Sequence, residues 1–557
     1  MKNIFSFIII SLFACQLLAQ VTDTTALESE NVAVYKSYEA AVAQATQKSI
    51  DIVTPAHQTI KKNYSYTLNN KKSIDFERSN PVIRPLAYDN EGSTITDLKD
   101  ATIYGAYGNL RTIKAGGAYQ YYIEDWLDAG IKIDHFSNKA QTYVNKQIPS
   151  LVNTQGKIYG SYFLSPKTKV GIEGNGRWNN RATQFLPTSE LDTTNYNLPT
   201  NQIGAAVNFS HTSFETSGFA IRSRFAYDRM RRTVEYDNLD LSENKMSLDN
   251  NIYKKLGESM AAEVDVKYRN YISTVEANSN NNSVTNYDLI VRPRISYKSV
   301  NYTLSTGVEM IRTSGDNYLF PIANINIPSI IAEIDLSIYT DTDYNRYSLH
   351  SLVEDNPFAI LNTNESNAMY RRSISLELER PIIAAWNGSI RFSYNDYQND
   401  IQYINNGNSM AITPTTFDYT LVNRKEVSIT PTIGMADDLI DLNLSMTYNH
   451  FLGDNKDDLL YTPRINVDLS ATEKLLKNKL FLSQSISYNS SFNGQYEIGD
   501  IIGKSGFADI SGKIEYKVSR TFSVFVEGVN LLDSNYEQWH DVYNNGRQFW
   551  GGVKLRI

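Results

Sequence analysis

The chain has 557 residues, 41% hydrophobic and 20% charged, with a mean hydropathy of -0.39. Its formal net charge of -8 and pI near 5.5 exclude a basic nucleic-acid binder. Beyond the N-terminal segment there is no run of the ~20 apolar residues that a membrane-spanning helix needs, so a helical membrane protein is excluded.

The first element, MKNIFSFIIISLFACQLLAQ, carries Lys2, an apolar stretch from Ile4 to Leu18 and a small residue before the expected cut after Ala19 or Gln20. This is the pattern of a secretory signal peptide over residues 1–20. Cys15 is the sole cysteine, and it is expected to leave with the signal; the alternative is cleavage before Cys15 and lipid attachment there. Residues 21–98 are polar and lack sustained alternation. They read as an extended leader with a short helix from Tyr38 to Lys48, a strand at Asn63–Leu68 and breaks at Pro81 and Pro85.

From residue 99 to 557 the pattern has a period of two. Leu127, Ala129, Ile131 and Ile133 alternate with Asp128, Lys132 and Asp134. Ala262, Val264, Val266 and Tyr268 alternate with Glu263, Asp265, Lys267 and Arg269. Ile440, Leu442, Leu444, Met446 and Tyr448 alternate with Asp441, Asn443, Ser445, Thr447 and Asn449. The connections carry hairpin signals: Asn-Gly at 387–388, 406–407 and within 544–547, with longer polar loops expected at 278–283 and 453–458. No fixed repeat marks a propeller or solenoid.

The remaining architecture is an all-β, closed antiparallel transmembrane barrel. Only closure leaves no unpaired backbone in lipid. The last strand, with Phe549, Gly551, Val553, Leu555 and Ile557 on one face, is therefore expected to pair with the first strand, near 104–110. A spanning strand needs ~9–11 residues plus its connection. About 16–22 strands are expected, with 20–22 favoured by chain length. Tyr121, Tyr122, Tyr271, Tyr448, Phe451, Tyr536 and Trp539 lie near turns and are expected to form interfacial girdles.

The tail FSVFVEGVNLLDSNYEQWHDVYNNGRQFWGGVKLRI resembles the end of a TonB-dependent receptor barrel. Its marks are Asn530, Leu531, Leu532 and Asp533, then Tyr536, then Gly546 and Arg547. YTPRINVDLS at 461–470 resembles an earlier strand entry of that family, and RYSLHSLVEDNPF at 346–358 a mid-barrel segment. The resemblance implies an outer-membrane, receptor-like barrel. It departs from the family in lacking a recognisable plug, its Arg-Gly and glycine-rich segments, and a clear TonB box beyond the NVAVYKS at 31–37. Ile557 also replaces the usual terminal aromatic.

No nucleophile elbow, phosphate loop or paired-histidine metal spacing occurs, so no catalytic, cofactor or metal residue is assigned and an enzyme is not expected. Glu377 and Glu379 share a strand face and read as charged wall, not as an acid/base pair. Arg222, Arg224 and Arg229, with Arg231 and Arg232 beyond, form the basic cluster assigned to the lumen. It is either an anion-selective constriction or, as favoured here, a set of partners for lumenal acids. The expected role is solute passage across the outer membrane of a Gram-negative cell, or service as the barrel subunit of an envelope complex. One alternative is TonB-dependent uptake with a plug supplied by a partner, and another is an outer-membrane enzyme. The expected partners are outer-membrane lipid and lipopolysaccharide, the outer-membrane assembly machinery, and periplasmic or outer-membrane proteins.

Overall fold

The computed structural model describes residues 101–557, apart from 124–126, 140–147, 186–193, 214–217, 235–238, 278–279, 332, 360–367, 384, 406–416, 454–458, 496–500 and 540–541. The signal-peptide, leader and Cys15 expectations, the Asn-Gly at 406–407 and most of the acidic loop at 453–458 lie outside the described residues.

Alternation becomes strand after strand. The first are β1 (Ala101–Gly108), β2 (Ile113–Ile123), β3 (Leu127–Asn138), β4 (Ile148–Ser165), β5 (Thr168–Phe185) and β6 (Thr194–Ser213). Next come β7 (Phe219–Val234), β8 (Leu239–Lys255), β9 (Met260–Ala277), β10 (Asn280–Lys298), β11 (Thr303–Thr313), β12 (Asn317–Ile331) and β13 (Ile334–Arg346). A short helix, α1 (Leu349–Asp355), precedes β14 (Ala368–Ile383), β15 (Trp386–Asn405), β16 (Phe417–Ala436), β17 (Ile440–Leu452), β18 (Ile465–Leu475) and β19 (Leu480–Asn489). The chain ends through β20 (Phe492–Gln495), β21 (Ile501–Lys504), β22 (Phe507–Lys517), β23 (Phe522–Val529), β24 (Glu537–Trp539), β25 (Val542–Tyr543) and β26 (Gln548–Arg556).

Twenty-two of these strands form one sheet, while β20–β21 and β24–β25 are small hairpins in the connections. Each sheet strand runs antiparallel to its neighbours, and β26 closes on β1 from Thr102↔Arg556 to Gly108↔Trp550. The C-terminal strand thus has no free edge, as the alternation of its last nine residues requires. Close approach at this seam demands glycine: a Cβ on Gly552 would lie 2.4 Å from the Gly105 carbonyl oxygen. Beside it Trp550 turns inward, 1% exposed, with its indole N–H on Glu527 at 3.2 Å.

The faces divide as alternation demands. Ile131 and Ile133 are exposed on the outside, and Val553 and Leu555 on β26 likewise. Lys132 and Asp134 pair with each other on the inside of β3. One end of the barrel has tight turns and both ends of the described chain, where the Ala101 and Ile557 backbones bond reciprocally. The other end has the long connections. Short turns mark the periplasmic side of such barrels and long loops the outer side. Several strands run 18–20 residues, as in β4–β6, β15 and β16. That exceeds the ~9–11 residues needed to span, so the sheet continues beyond the membrane at the loop end.

This extension corrects several expectations. The polar segment at 278–283 is not a long loop: β10 begins at Asn280, paired with Ala277. Asn387 and Gly388 lie inside β15, paired with Pro381 and Arg380, so the turn comes before them. Asn544 to Arg547 leads into β26 after a long connection, with Gly546 at φ +64°. Of the girdle residues, Tyr121 and Tyr448 face outward, but Tyr271, Phe451 and Tyr536 are 4%, 5% and 7% exposed. Tyr122 pairs with Asp128 on the polar face. Nearness to a turn does not choose a face; strand parity does. The outward aromatics include Tyr107, Tyr119, Trp178, Phe225, Tyr268 and Tyr394.

Candidate functional site in the lumen and its mouth

The inner wall is a lattice of paired charges. Arg224 bonds Glu173, which also meets Lys157 at 3.1 Å. Arg294 bridges Asp265 at 2.5 Å and Glu263 at 3.2 Å. Arg292 meets Glu309 at 2.6 Å, and Arg391 meets Glu377 at 2.9 Å. Arg424 bonds Asp400 and Glu426 at 2.5 and 2.8 Å while its guanidinium lies 3.9 Å from the Tyr397 ring centre. Cations spaced along one strand find acids on the next because directly opposed residues share a face. Glu377 therefore sits in charged wall.

The basic cluster divides. On β7 Phe225 faces outward, so Arg222 and Arg224, three and one positions before it, face the lumen. They line a recess of about 470 Å³ with Lys169, Asp249, Asp265 and Lys267. Arg232 also turns inward and is 1% exposed. Arg229 and Arg231 have the opposite parity and lie on the outer face, opposite Ile203 and Asn201 of β6. The sequence grouping of Arg229 with Arg222 and Arg224 is thus not a spatial one.

The mouth is crossed by the connection after β13. Arg346, 3% exposed, is clamped to Asp288, 0% exposed, at 2.5 Å, and the Tyr344 hydroxyl donates to the same carboxylate at 2.5 Å. Ser348 then caps α1 in a reciprocal capping box with Ser351. The backbone N–H of Leu349 donates to Glu243 of β8 at 2.8 Å, and Arg232 of β7 donates to the Pro357 carbonyl. Leu349 is buried with Met230, Val234 and Leu241, while Leu352, Phe358 and Ala359 are buried with Tyr403, Phe417, Tyr419, Tyr461 and Val542. This strap ties β7–β8 to β15–β16 and to two further outer connections. Tyr347 donates to the Asn399 carbonyl at 2.9 Å, and its burial, with Asp400 nearby, raises its pKa well above the ordinary tyrosine range. Sequence reading reached the strap only as the weak match at 346–358; its Ser-x-x-Ser cap was the available signal.

The tail residues build a latch at the closing seam. Asn530 at φ +49° and Asp533 at φ +54° adopt the left-handed backbone that Asn and Asp tolerate. The Asn530 side chain donates to the Ser534 carbonyl and accepts from the Ser534 N–H, both at 2.9 Å. The Arg547 N–H donates to Asp533 at 2.8 Å. Leu531 and Leu532 are partly exposed, with Leu531 over Gly528. Tyr536 stacks on Phe507 at 4.1 Å and donates to Asp509 at 2.9 Å. Asn109, after β1, donates to the Arg547 carbonyl and accepts from the Phe549 N–H. Among the described residues no His, Cys, Asp and Glu cluster fit to hold a metal ion occurs.

Neither a family model nor a curated protein sequence matches the chain. Solved structures do match it. The FrpB iron transporter from Neisseria meningitidis (F3-3 variant) aligns at a TM-score of 0.65 with 10% identity, over 82% of this chain and 81% of its own. The ferric-catecholate import receptor Fiu from Escherichia coli K12 gives 0.63 with 9% identity over 82% and 81%. The siderophore receptor PirA from Acinetobacter baumannii gives 0.61 with 10% identity over 82% and 80%. The likeness is one of fold. It bears out the closed-barrel fold that the resemblance to TonB-dependent receptor barrels implied. These neighbours are transport receptors rather than enzymes.

Proposed function

We propose that the chain is an outer-membrane, receptor-like barrel that passes a polar solute, with entry from outside restricted by the strap over its mouth. The observation that carries this reading is the polar inner wall of the 22-stranded sheet, its charges paired strand to strand. A barrel of this size encloses far more space than its wall side chains fill. The strap, held by Arg346, Arg232 and Glu243, narrows the outer entrance.

The test is conductance of the full chain in planar bilayers beside Arg232→Ala, which removes the side chain donating to the Pro357 carbonyl. A small or intermittent wild-type conductance that grows in the variant supports the reading. No conductance in either protein would sink it and favour a barrel subunit of an envelope complex.

A further inference from the structure

Outward-facing Arg229 poses a physical problem. An arginine on the lipid face costs ~2–4 kcal/mol at the bilayer midplane and little near the interfaces, so its depth matters. Phe219, Ile221, Phe225, Tyr227 and Arg229 share the outer face of β7. Phe219 lies opposite Lys254 at the turn end of the two strands, and the lower rim of the apolar band is set there by that lysine's charge. At ~3.3 Å per residue and a tilt of about 40°, the run from Phe219 to Arg229 rises about 25 Å, the height of that band. Arg229 therefore stands at its upper boundary, at the loop end.

A second mark lies two strands away. Trp178 of β5 is 51% exposed on the outer wall, opposite Asn201, which is itself opposite Arg231. Its indole folds over Gly176, where a Cβ would meet the ring at 3.1 Å. Ile203, 60% exposed, lies between Gly176 and Arg229 in the same row. Exposed tryptophan marks the headgroup level in barrels. Arg231 is engaged by Asp240 at 2.8 Å, whereas among the described residues Arg229 has no carboxylate within ion-pair reach.

We propose that the outer wall of β5–β8 binds the phosphate of an anionic outer-leaflet glycolipid. Arg229 is the phosphate ligand, Arg231 is the flanking cation held by Asp240, and Trp178 with Ile203 seats the sugar and the start of the acyl chains. Charge complementarity selects this occupant: one unpaired cation beside an apolar row at headgroup depth fits a lipid carrying phosphate and chains together. The inference is independent of what passes through the lumen.

The experiment uses the full chain, purified and delipidated in detergent. Its unfolding temperature is followed with added bis-phosphorylated lipid A, enzymatically dephosphorylated lipid A, or phosphatidylethanolamine. The wild type is expected to gain stability with the bis-phosphorylated lipid alone. Arg229→Gln should lose at least two-thirds of that gain while keeping heat-modifiable mobility, and the lumenal control Arg222→Gln should keep it. Bound lipid A counted by native mass spectrometry should fall at least threefold in Arg229→Gln. An equal gain from dephosphorylated lipid, or equal behaviour of Arg229→Gln and wild type, overturns the proposal. Should Arg229→Gln not fold, Arg229→Lys and Arg231→Gln are measured: a diminished gain in either supports the proposal, and an undiminished gain in both overturns it as well.

Discussion

At the residue scale, parity decides what a substitution costs. Leu444 lies between Ile433 and Leu469 on the outer face, while Ser445 lies between Thr432 and Asp468 on the inner one. Leu444→Arg should cost ~2–4 kcal/mol where it enters the apolar band and should sharply reduce the heat-modifiable folded form. Ser445→Arg should assemble near wild-type yield, because Asp468 stands opposite. Equal yields would mean that the two faces are assigned the wrong way round. Asp265→Arg, harmless on alternation alone, is predicted to be costly: Asp265 accepts from Asn251 at 2.6 Å and holds Arg294. Tyr536 adds a pH dependence. Its burial and its bond to Asp509 raise its pKa well above the usual value. The folded state then favours the protonated phenol, so this stabilisation is complete below the unfolded pKa of about 10 and is lost as pH rises through the folded value. Tyr536→Phe should therefore lose less stability than wild type between pH 9 and pH 11.5 in thermal melts, and a larger loss would contradict the assignment.

At the element scale, what sequence could and could not reveal follows from period. The outward runs of β3, β9, β17 and β26 were legible because a sheet with one face in lipid enforces strict alternation, and the closing pair β1–β26 follows from the same argument. The tops of strands were not legible. Above the membrane both faces meet water, so Asn280 to Ser283 need no apolar residue of their own and read as a loop although they pair with β9. Arg229 was misplaced for a different reason: the cluster was grouped by nearness along the chain, whereas counting parity from Phe225 separates it from Arg222 and Arg224. The latch was recognised by family resemblance, and its physics appears only once Asn530 and Asp533 are seen at positive φ. Asn530→Ala should remove two hydrogen bonds worth ~0.5–1.5 kcal/mol each and leave alanine in a left-handed conformation. The expected outcome is earlier unfolding of the β23–β26 seam, read as faster amide exchange at β26 than at β9. Uniform exchange across both strands would show that the latch does not hold the seam.

At the scale of the whole molecule, the question is what obstructs a lumen this wide. Barrels of 16–18 strands already carry an aqueous channel, and 22-stranded transporters are plugged. Among the described residues the inner wall is lined by paired charges and the strap closes part of the outer entrance. The turn end has only short connections. We propose that the leader at 21–98 supplies the rest by entering the lumen. Its length is a constraint: at roughly half a usual plug it has to work together with the strap rather than alone. Deleting residues 22–90 while keeping residues 1–21 should leave a barrel that still shows heat-modifiable migration, since the 22-strand ring and its seam are complete from Ala101 onward. That barrel should conduct more in planar bilayers than the full chain, and cells carrying it should become more sensitive to bulky antibiotics. Combining the deletion with Arg232→Ala should raise conductance further than either change if both segments obstruct the lumen. Unchanged conductance and unchanged sensitivity after the deletion would place the leader outside the lumen, where a polar segment serves better as a docking arm for a periplasmic partner.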